Sequence, residues 1–161
     1  MTRGAILGVR HTDSMIRLGT PADLAALTDI YRRASLSNPG DRDRLLAHPE
    51  HLVLEPDGLT EGRTHVAEEG GSVVGFATWA ETDGGGLELE DLFVDPQWMR
   101  RGIATALVAC IADVLRSRGA DTLEVTASPD ALGFYRSVGF IDVGVAQTTF
   151  GSAPLLQLKL S

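Results

Sequence analysis

The spacing of apolar positions changes character several times along this chain, and each change marks an element. Met15, Ile16 and Leu18 give "SMIRLGT" the look of a first strand. Thr20-Pro21-Ala22-Asp23 reads as a helix start, with Thr20 as N-cap, Pro21 at the first helical position and Asp23 near the positive end of the dipole. Leu24, Leu27, Ile30 and Tyr31 recur at helical spacing and predict a helix to about Ala34. "SLSNPGD" breaks it, and a shorter helix is expected from roughly Arg42 to Ala47. Pro49, Pro56, Gly58 and Gly62 then predict an irregular stretch. "THVAEE" and "SVVGFATWAE" flank Gly70-Gly71 as a β-hairpin. Gly84-Gly85-Gly86 is a second turn; a strand follows it, so it is not read as a phosphate loop.

That strand, "LELEDLFV", breaks its own alternation. Leu87 and Leu89 share one parity, Leu92 and Val94 the other. A β-bulge between Leu89 and Leu92 would put all four on one face; burial on both faces is the alternative. From Arg101 to Arg118 the pattern is helical, with Ile103, Ala104, Leu107, Val108, Ile111, Val114 and Leu115 on one broad face and Gly119 as C-cap. "TLEVTAS" reads as a strand, Pro129 to Val138 as a short helix closed by Gly139, and "FIDVGVAQTTF" and "APLLQLKL" as a final antiparallel pair. The order is strand, helix, helix, three strands, helix, strand, helix, two strands: a mixed α/β domain without an internal linker.

Length and composition narrow this further. A chain of 161 residues suits one domain with a real core. Residues 1–14 lack a sustained period and are expected to be a loose arm, with 15–161 the domain. The net charge of -8 argues against general nucleic-acid binding, which needs a basic face. The single cysteine, Cys110, excludes an internal disulfide and is expected to be buried and inert among Leu107, Val108, Ile111 and Val114. No apolar run approaches the ~20 residues that span a bilayer, and Ala5 to Val9 is too short for a signal peptide, so a cytoplasmic protein with no membrane partner is expected.

Within this acidic chain, "DPQWMRRGIATAL" places Arg100 and Arg101 before Gly102 at a strand-to-helix junction. A helix start leaves several N–H groups unpaired and carries about half a positive charge, which together favour an anion, phosphate above all. Gly102 lets a phosphate approach the backbone, Ala104 keeps the next turn small, and Thr105 adds a hydroxyl.

Here the chain resembles the GNAT N-acetyltransferases, from about Met15 to Leu160. "LFVDPQWMRRGIATALV" is similar to that family's acyl-CoA motif, Gln/Arg-x-x-Gly-x-Gly/Ala, and "ASPDALGFYRSVGFIDVG" to its later motif, a helix carrying Phe-Tyr and ending at Gly-Phe. Met99 stands where the family has Gln or Arg, and Ser128 where many members have Asn. The resemblance implies the GNAT acyl-CoA N-acyltransferase fold: a central mixed, mostly antiparallel sheet with splayed parallel strands, flanked by helices. It also implies acetyl-CoA as co-substrate. The pantetheine arm would lie along Leu92, Phe93 and Val94. The pyrophosphate would sit on amides from Met99 through Arg100, Arg101, Gly102, Ile103 and Ala104 to Thr105. Ser128, Phe134, Tyr135 and Arg136 would flank the other side.

The implied reaction is attack of an amine on a thioester, with departure of a thiolate. Tyr135 would protonate that thiolate, since a phenol of pKa about 10 keeps its proton at neutral pH. An alkylamine is mostly protonated at pH 7 and needs a base. Glu88, Glu90 and Glu124 are candidates, directly or through water; Glu90 is favoured as nearest the parity switch. No metal is expected: Pro49 disrupts the helix that would align His48 and His51, and no third ligand is apparent. Trp79 and Trp98 read as packing or as a substrate mouth, and Arg32-Arg33 as a solvated face or, less favoured, as an attraction for an acidic substrate. The expected acceptor is a small-molecule amine or a protein amine, the expected assembly a monomer or homodimer. The competing reading is a non-catalytic acyl-CoA-binding module or sensor on the same fold.

Overall fold

The computed structural model describes residues 15–148 and 151–161. The loose arm expected over residues 1–14 lies outside them. The strands are β1 (Met15–Leu18), β2 (Thr64–Glu69), β3 (Ser72–Glu81), β4 (Leu87–Val94), β5 (Thr122–Thr126), β6 (Ile141–Thr148) and β7 (Gly151–Lys159). The α-helices are α1 (Leu24–Leu36), α2 (Pro39–Ala47), α3 (Asp57–Thr60), α4 (Ile103–Ser117) and α5 (Leu132–Ser137). The strands form one sheet in the order β1-β2-β3-β4-β5-β7-β6. It is mostly antiparallel, with a parallel β4–β5 pair, as the resemblance implies.

The chain forms two compact units. One comprises residues up to Thr78 together with Asp91–Cys110; the other comprises Trp79–Glu90 and Ile111–Ser161. The division falls within β3, β4 and α4.

In the first unit, β1 pairs with β2 from Met15↔Glu68 to Leu18↔His65. The β2–β3 hairpin turns at Gly70 (φ 56°) and Gly71 (φ 85°), the left-handed pair that a tight turn requires. Leu27 and Ile30 of α1 join Leu59, Val66 and Phe76 in a core, with Leu24, Tyr31 and Phe93 packed against it. Burying each such side chain contributes about 1.5–3 kcal/mol. Ahead of α1, residues Pro21–Asp23 form a 3₁₀ turn. The Asp23 carboxylate accepts from the Thr20 N–H at 2.8 Å and is held by Arg17, whose guanidinium also pairs with Glu68.

Two local expectations are corrected here. Helix α2 starts at Pro39, not near Arg42, because proline suits the first helical turn and the break needs only Ser37 and Asn38. The stretch expected to be irregular contains a 3₁₀ turn at Pro49–Leu52 and the short helix α3. Gly58 of α3 packs so closely that a Cβ there would meet Thr64 Oγ1 at 2.5 Å.

In the second unit, β4 and β5 are in parallel register at Glu88↔Glu124. Strand β7 pairs with both β5 and β6, leaving β6 at the sheet edge. Gly119 (φ 85°) ends α4, as expected, and the Ala120 N–H bonds back to the Leu115 carbonyl at 3.0 Å. Along α4 the buried residues are Ile103, Leu107, Val108, Ile111, Ala112 and Leu115. Cys110 lies at the margin of that stripe and is partly exposed, correcting its expected burial.

Candidate functional site

The residues singled out in the sequence fall on both units. In the first unit they form one continuous segment, the end of β4 and the loop into α4. Val94 is buried, while Leu92 and Phe93 are partly buried. Phe93 meets Tyr31 edge-on with ring centroids 4.9 Å apart, and Phe76 at 5.6 Å. Neighbours of opposite parity are thus both covered at this end of β4.

The Asp95 N–H donates to the Val74 carbonyl at 2.8 Å. The Asp95 carboxylate caps the 3₁₀ turn Pro96–Trp98 by accepting from the Gln97 N–H at 3.0 Å. The same oxygen, Oδ1, lies 2.8 Å from Arg33 Nη1. Arg33 also pairs with Asp29, so its expected role as a merely solvated face is corrected. Arg32 donates through Nε to the Leu52 carbonyl at 3.3 Å.

Beyond the turn, Met99 is extended (φ -67°, ψ 157°) and Arg100 takes φ 65°, the one non-glycine left-handed residue among those described. Gly102 follows at φ 81°. A left-handed side-chain-bearing residue costs about 1–2 kcal/mol. Left-handed residues within a turn gather successive N–H groups into a concavity suited to an anion. The Ala106 N–H bonds to the Gly102 carbonyl at 3.0 Å, so the amides of Ile103, Ala104 and Thr105 precede the intrahelical ladder. Ile103 is 2% exposed and its side chain belongs to the core, which leaves only its backbone for a ligand. Met99, Arg100, Arg101, Gly102 and Thr105 are exposed. The Arg101 guanidinium sits 4.7 Å from the Trp98 ring centroid, so Trp98 holds an arginine at the loop's edge. A helix start whose first amides precede the intrahelical ladder, beside two exposed arginines, has the chemistry to fit a pyrophosphate.

In the second unit the register Glu88↔Glu124 sets two carboxylates side by side, and Glu90 follows two residues on along β4. Glu88 is partly buried and Glu90 exposed. Burial, reinforced by the charges of Glu90, Glu124 and Asp83, pushes the Glu88 carboxyl above its ordinary range. Tyr135 is 8% exposed; its ring meets Phe134 and Phe140 edge-on, at 5.2 and 5.4 Å. Burial pushes its hydroxyl up to about 12. Phe134 is partly buried and Ser128 exposed, with the Ser128 carbonyl accepting from the Ala131 N–H at 3.0 Å. Arg136 forms a two-bond pair with Asp142, at 2.9 and 2.7 Å, so its charge is already engaged.

Trp79 is buried beneath the Arg118 guanidinium, 5.0 Å from the ring centroid, which makes it a packing residue. His48 and His51 stack with centroids 5.6 Å apart. Among the described residues no group of three His, Cys, Asp or Glu could hold a metal, and no helix is long and apolar enough to cross a membrane. What the sequence reading missed is the pairing of Arg33 with Asp29 and Asp95. The Asp-Pro step at Asp95 was a legible turn signal, but nothing local tied Arg33 to it.

Comparison with known proteins places this arrangement. The family described as "Acetyltransferase (GNAT) family" matches residues 24–140. A mycothiol acetyltransferase of Clavibacter sepedonicus is 38% identical over 151 residues, covering 86% of this chain and 47% of that protein. The chain therefore spans about half the length of this curated relative. A Salmonella typhimurium protein, solved with its cofactor acetyl-CoA, is 26% identical with a TM-score of 0.68, spanning 92% of this chain and 95% of that one. The PaiA N-acetyltransferase of Thermoplasma acidophilum, solved with coenzyme A, shares the fold at 16% identity, with a TM-score of 0.70 over 91% of this chain and 99% of that one. From the motif loop to the sheet, the chain belongs to the GNAT acetyltransferase family.

Proposed function

We propose that the chain is an acetyl-CoA-dependent N-acetyltransferase acting on a primary amine of a small molecule, by direct attack in a ternary complex. The observation that carries this reading is the left-handed pair Arg100 and Gly102 ahead of α4. A left-handed arginine is a candidate functional feature, and left-handed residues ahead of a helix start can gather amides for a pyrophosphate. The relative solved with acetyl-CoA supports the same co-substrate.

The chemistry is assigned as follows. Glu88 accepts the proton that the attacking amine must lose. The sequence favours Glu90 by its place on β4; partial burial and a raised carboxyl favour Glu88 instead, since a carboxylate of higher pKa is the stronger base. Attack of the amine nitrogen forms the new C–N bond, and the C–S bond of the thioester breaks. Tyr135, fully protonated at neutral pH, gives its proton to the departing sulfur. The net charge of -8 favours a cationic acceptor.

The test is calorimetric titration with acetyl-CoA, with dephospho-CoA and a nucleotide as controls, followed by thiol release in the presence of an amine panel. Saturable binding with amine-dependent thiol release is expected. Binding without turnover on any amine would leave the non-catalytic acyl-CoA module, and no binding would remove both readings.

A further inference from the structure

We propose that Arg33, on helix α1, is a positioning residue for the pyrophosphate loop, acting through Asp95; this rests on the acetyl-CoA reading above. Arg33 belongs to neither sequence motif. Its guanidinium is held from behind by Asp29, one helical turn earlier, with Nε 3.0 Å and Nη2 2.9 Å from Oδ2. In front, Nη1 reaches Asp95 Oδ1 at 2.8 Å. The Arg33 side chain is 41% exposed, but that of Asp95 is only 11% exposed. An exposed ion pair contributes little to stability. A carboxylate with this little access to water depends on its partners far more.

Asp95 is where the loop begins. Its N–H is fixed to β3 at Val74, its carbonyl accepts from the Trp98 N–H at 2.8 Å, and its carboxylate accepts from the Gln97 N–H. The 3₁₀ turn Pro96–Trp98 thus hangs on Asp95, and Met99, left-handed Arg100 and Gly102 follow directly. The strained Arg100 backbone will relax unless the turn before it is fixed. Asp29, Arg33 and Asp95 form a chain of charges that fixes it from α1. Tyr31 of the same helix braces Phe93, so α1 supports both the strand end and the turn. Arg33 touches no substrate in this proposal; it sets where the amides point.

The test is initial-rate kinetics of Arg33→Met and Arg33→Lys with acetyl-CoA and with acetyl-pantetheine, which lacks the pyrophosphate. For Arg33→Met the KM for acetyl-CoA is expected to rise about tenfold with kcat within about twofold, the loss of one charged hydrogen bond. With acetyl-pantetheine kcat/KM should stay as in the parent protein. Arg33→Lys, which keeps one charge, should recover most of the acetyl-CoA affinity. Asp29→Asn, at an exposed position, gives a second variant that keeps the fold and should move KM in the same direction by less. Equal losses on both thioesters, or no loss on either, would overturn the proposal while leaving the transferase reading intact. Failure of the parent protein to bind acetyl-CoA would overturn both.

Discussion

Glu88 and Glu124 stand opposite one another in the parallel register of β4 and β5. Partial burial of Glu88, with the like charges of Glu90, Glu124 and Asp83 added, raises the energy of its charged form. The acid limb of kcat should therefore lie above the ordinary carboxylate range. Glu124→Gln removes one like charge and should move that limb to lower pH, while Glu88→Gln should lower kcat by about 10²-fold or more. A pH–rate profile that is unmoved by Glu124→Gln would separate Glu88 from the proton transfer.

The same shift bears on stability. A carboxyl raised in the folded state binds its proton more tightly there than when unfolded. Its contribution to stability is full at low pH and is lost as pH rises through the folded value. Denaturation of Glu88→Gln beside the parent should then show the variant gaining relative stability from pH 4 to pH 8; a constant difference would mean that Glu88 binds its proton equally well in the folded and unfolded chain.

At the loop, backbone and charge can be separated. Gly102 sits at φ 81°, so Gly102→Ala should cost about 1 kcal/mol of stability and weaken acetyl-CoA, and Gly102→Glu should abolish binding. Arg100→Gly relieves the strain at φ 65° and should raise the melting temperature slightly while still weakening binding through lost charge. Unchanged affinity in Gly102→Glu would refute the loop assignment.

Tyr135→Phe keeps the ring between Phe134 and Phe140 and removes only the hydroxyl. kcat should fall with acetyl-CoA affinity unchanged. With the hydroxyl pushed up to about 12, the parent protein should show no alkaline loss from this group below about pH 10. Tyr135→Ala, by contrast, should cost about 3 kcal/mol by leaving a cavity. A kcat for Tyr135→Phe equal to the parent's would end the acid role.

Ahead of α1, Arg17 donates to both oxygens of Asp23, and this holds the Asp23 carboxyl down to about 2. A depressed carboxyl contributes stability that is present above its unfolded value and lost as pH falls through the folded one. Between about pH 4 and pH 2, Asp23→Asn should thus converge on the parent, having been about 1 kcal/mol less stable at pH 7. Thermal melts across that range test it.

The local elements were legible because short-range rules produce them. Gly70-Gly71, Gly119 and Gly139 ended elements where expected, each at positive φ. The periodicity from Arg101 to Arg118 predicted α4 to within two residues at either end. Where proline could either break or start a helix, at Pro39 and Pro49, the sequence was read as a break and the chain made a turn of helix. Periodicity set which stripe of α4 is buried but not its margin, so Cys110 was misjudged. The two motifs named the family.

By itself, then, the sequence determined the glycine turns and caps, the buried stripe of α4 and the place of the motif loop with its arginines. Tertiary structure alone decided which groups meet across the chain. It set Arg33 against Asp95 and Glu88 against Glu124, and it partly buried the Glu88 carboxyl beside like charges. The physical reason is that charge pairing and desolvation act through space. Helix α1 and the loop are far apart in sequence, and strand register, which a single-residue slip would invert, is fixed only when the sheet forms.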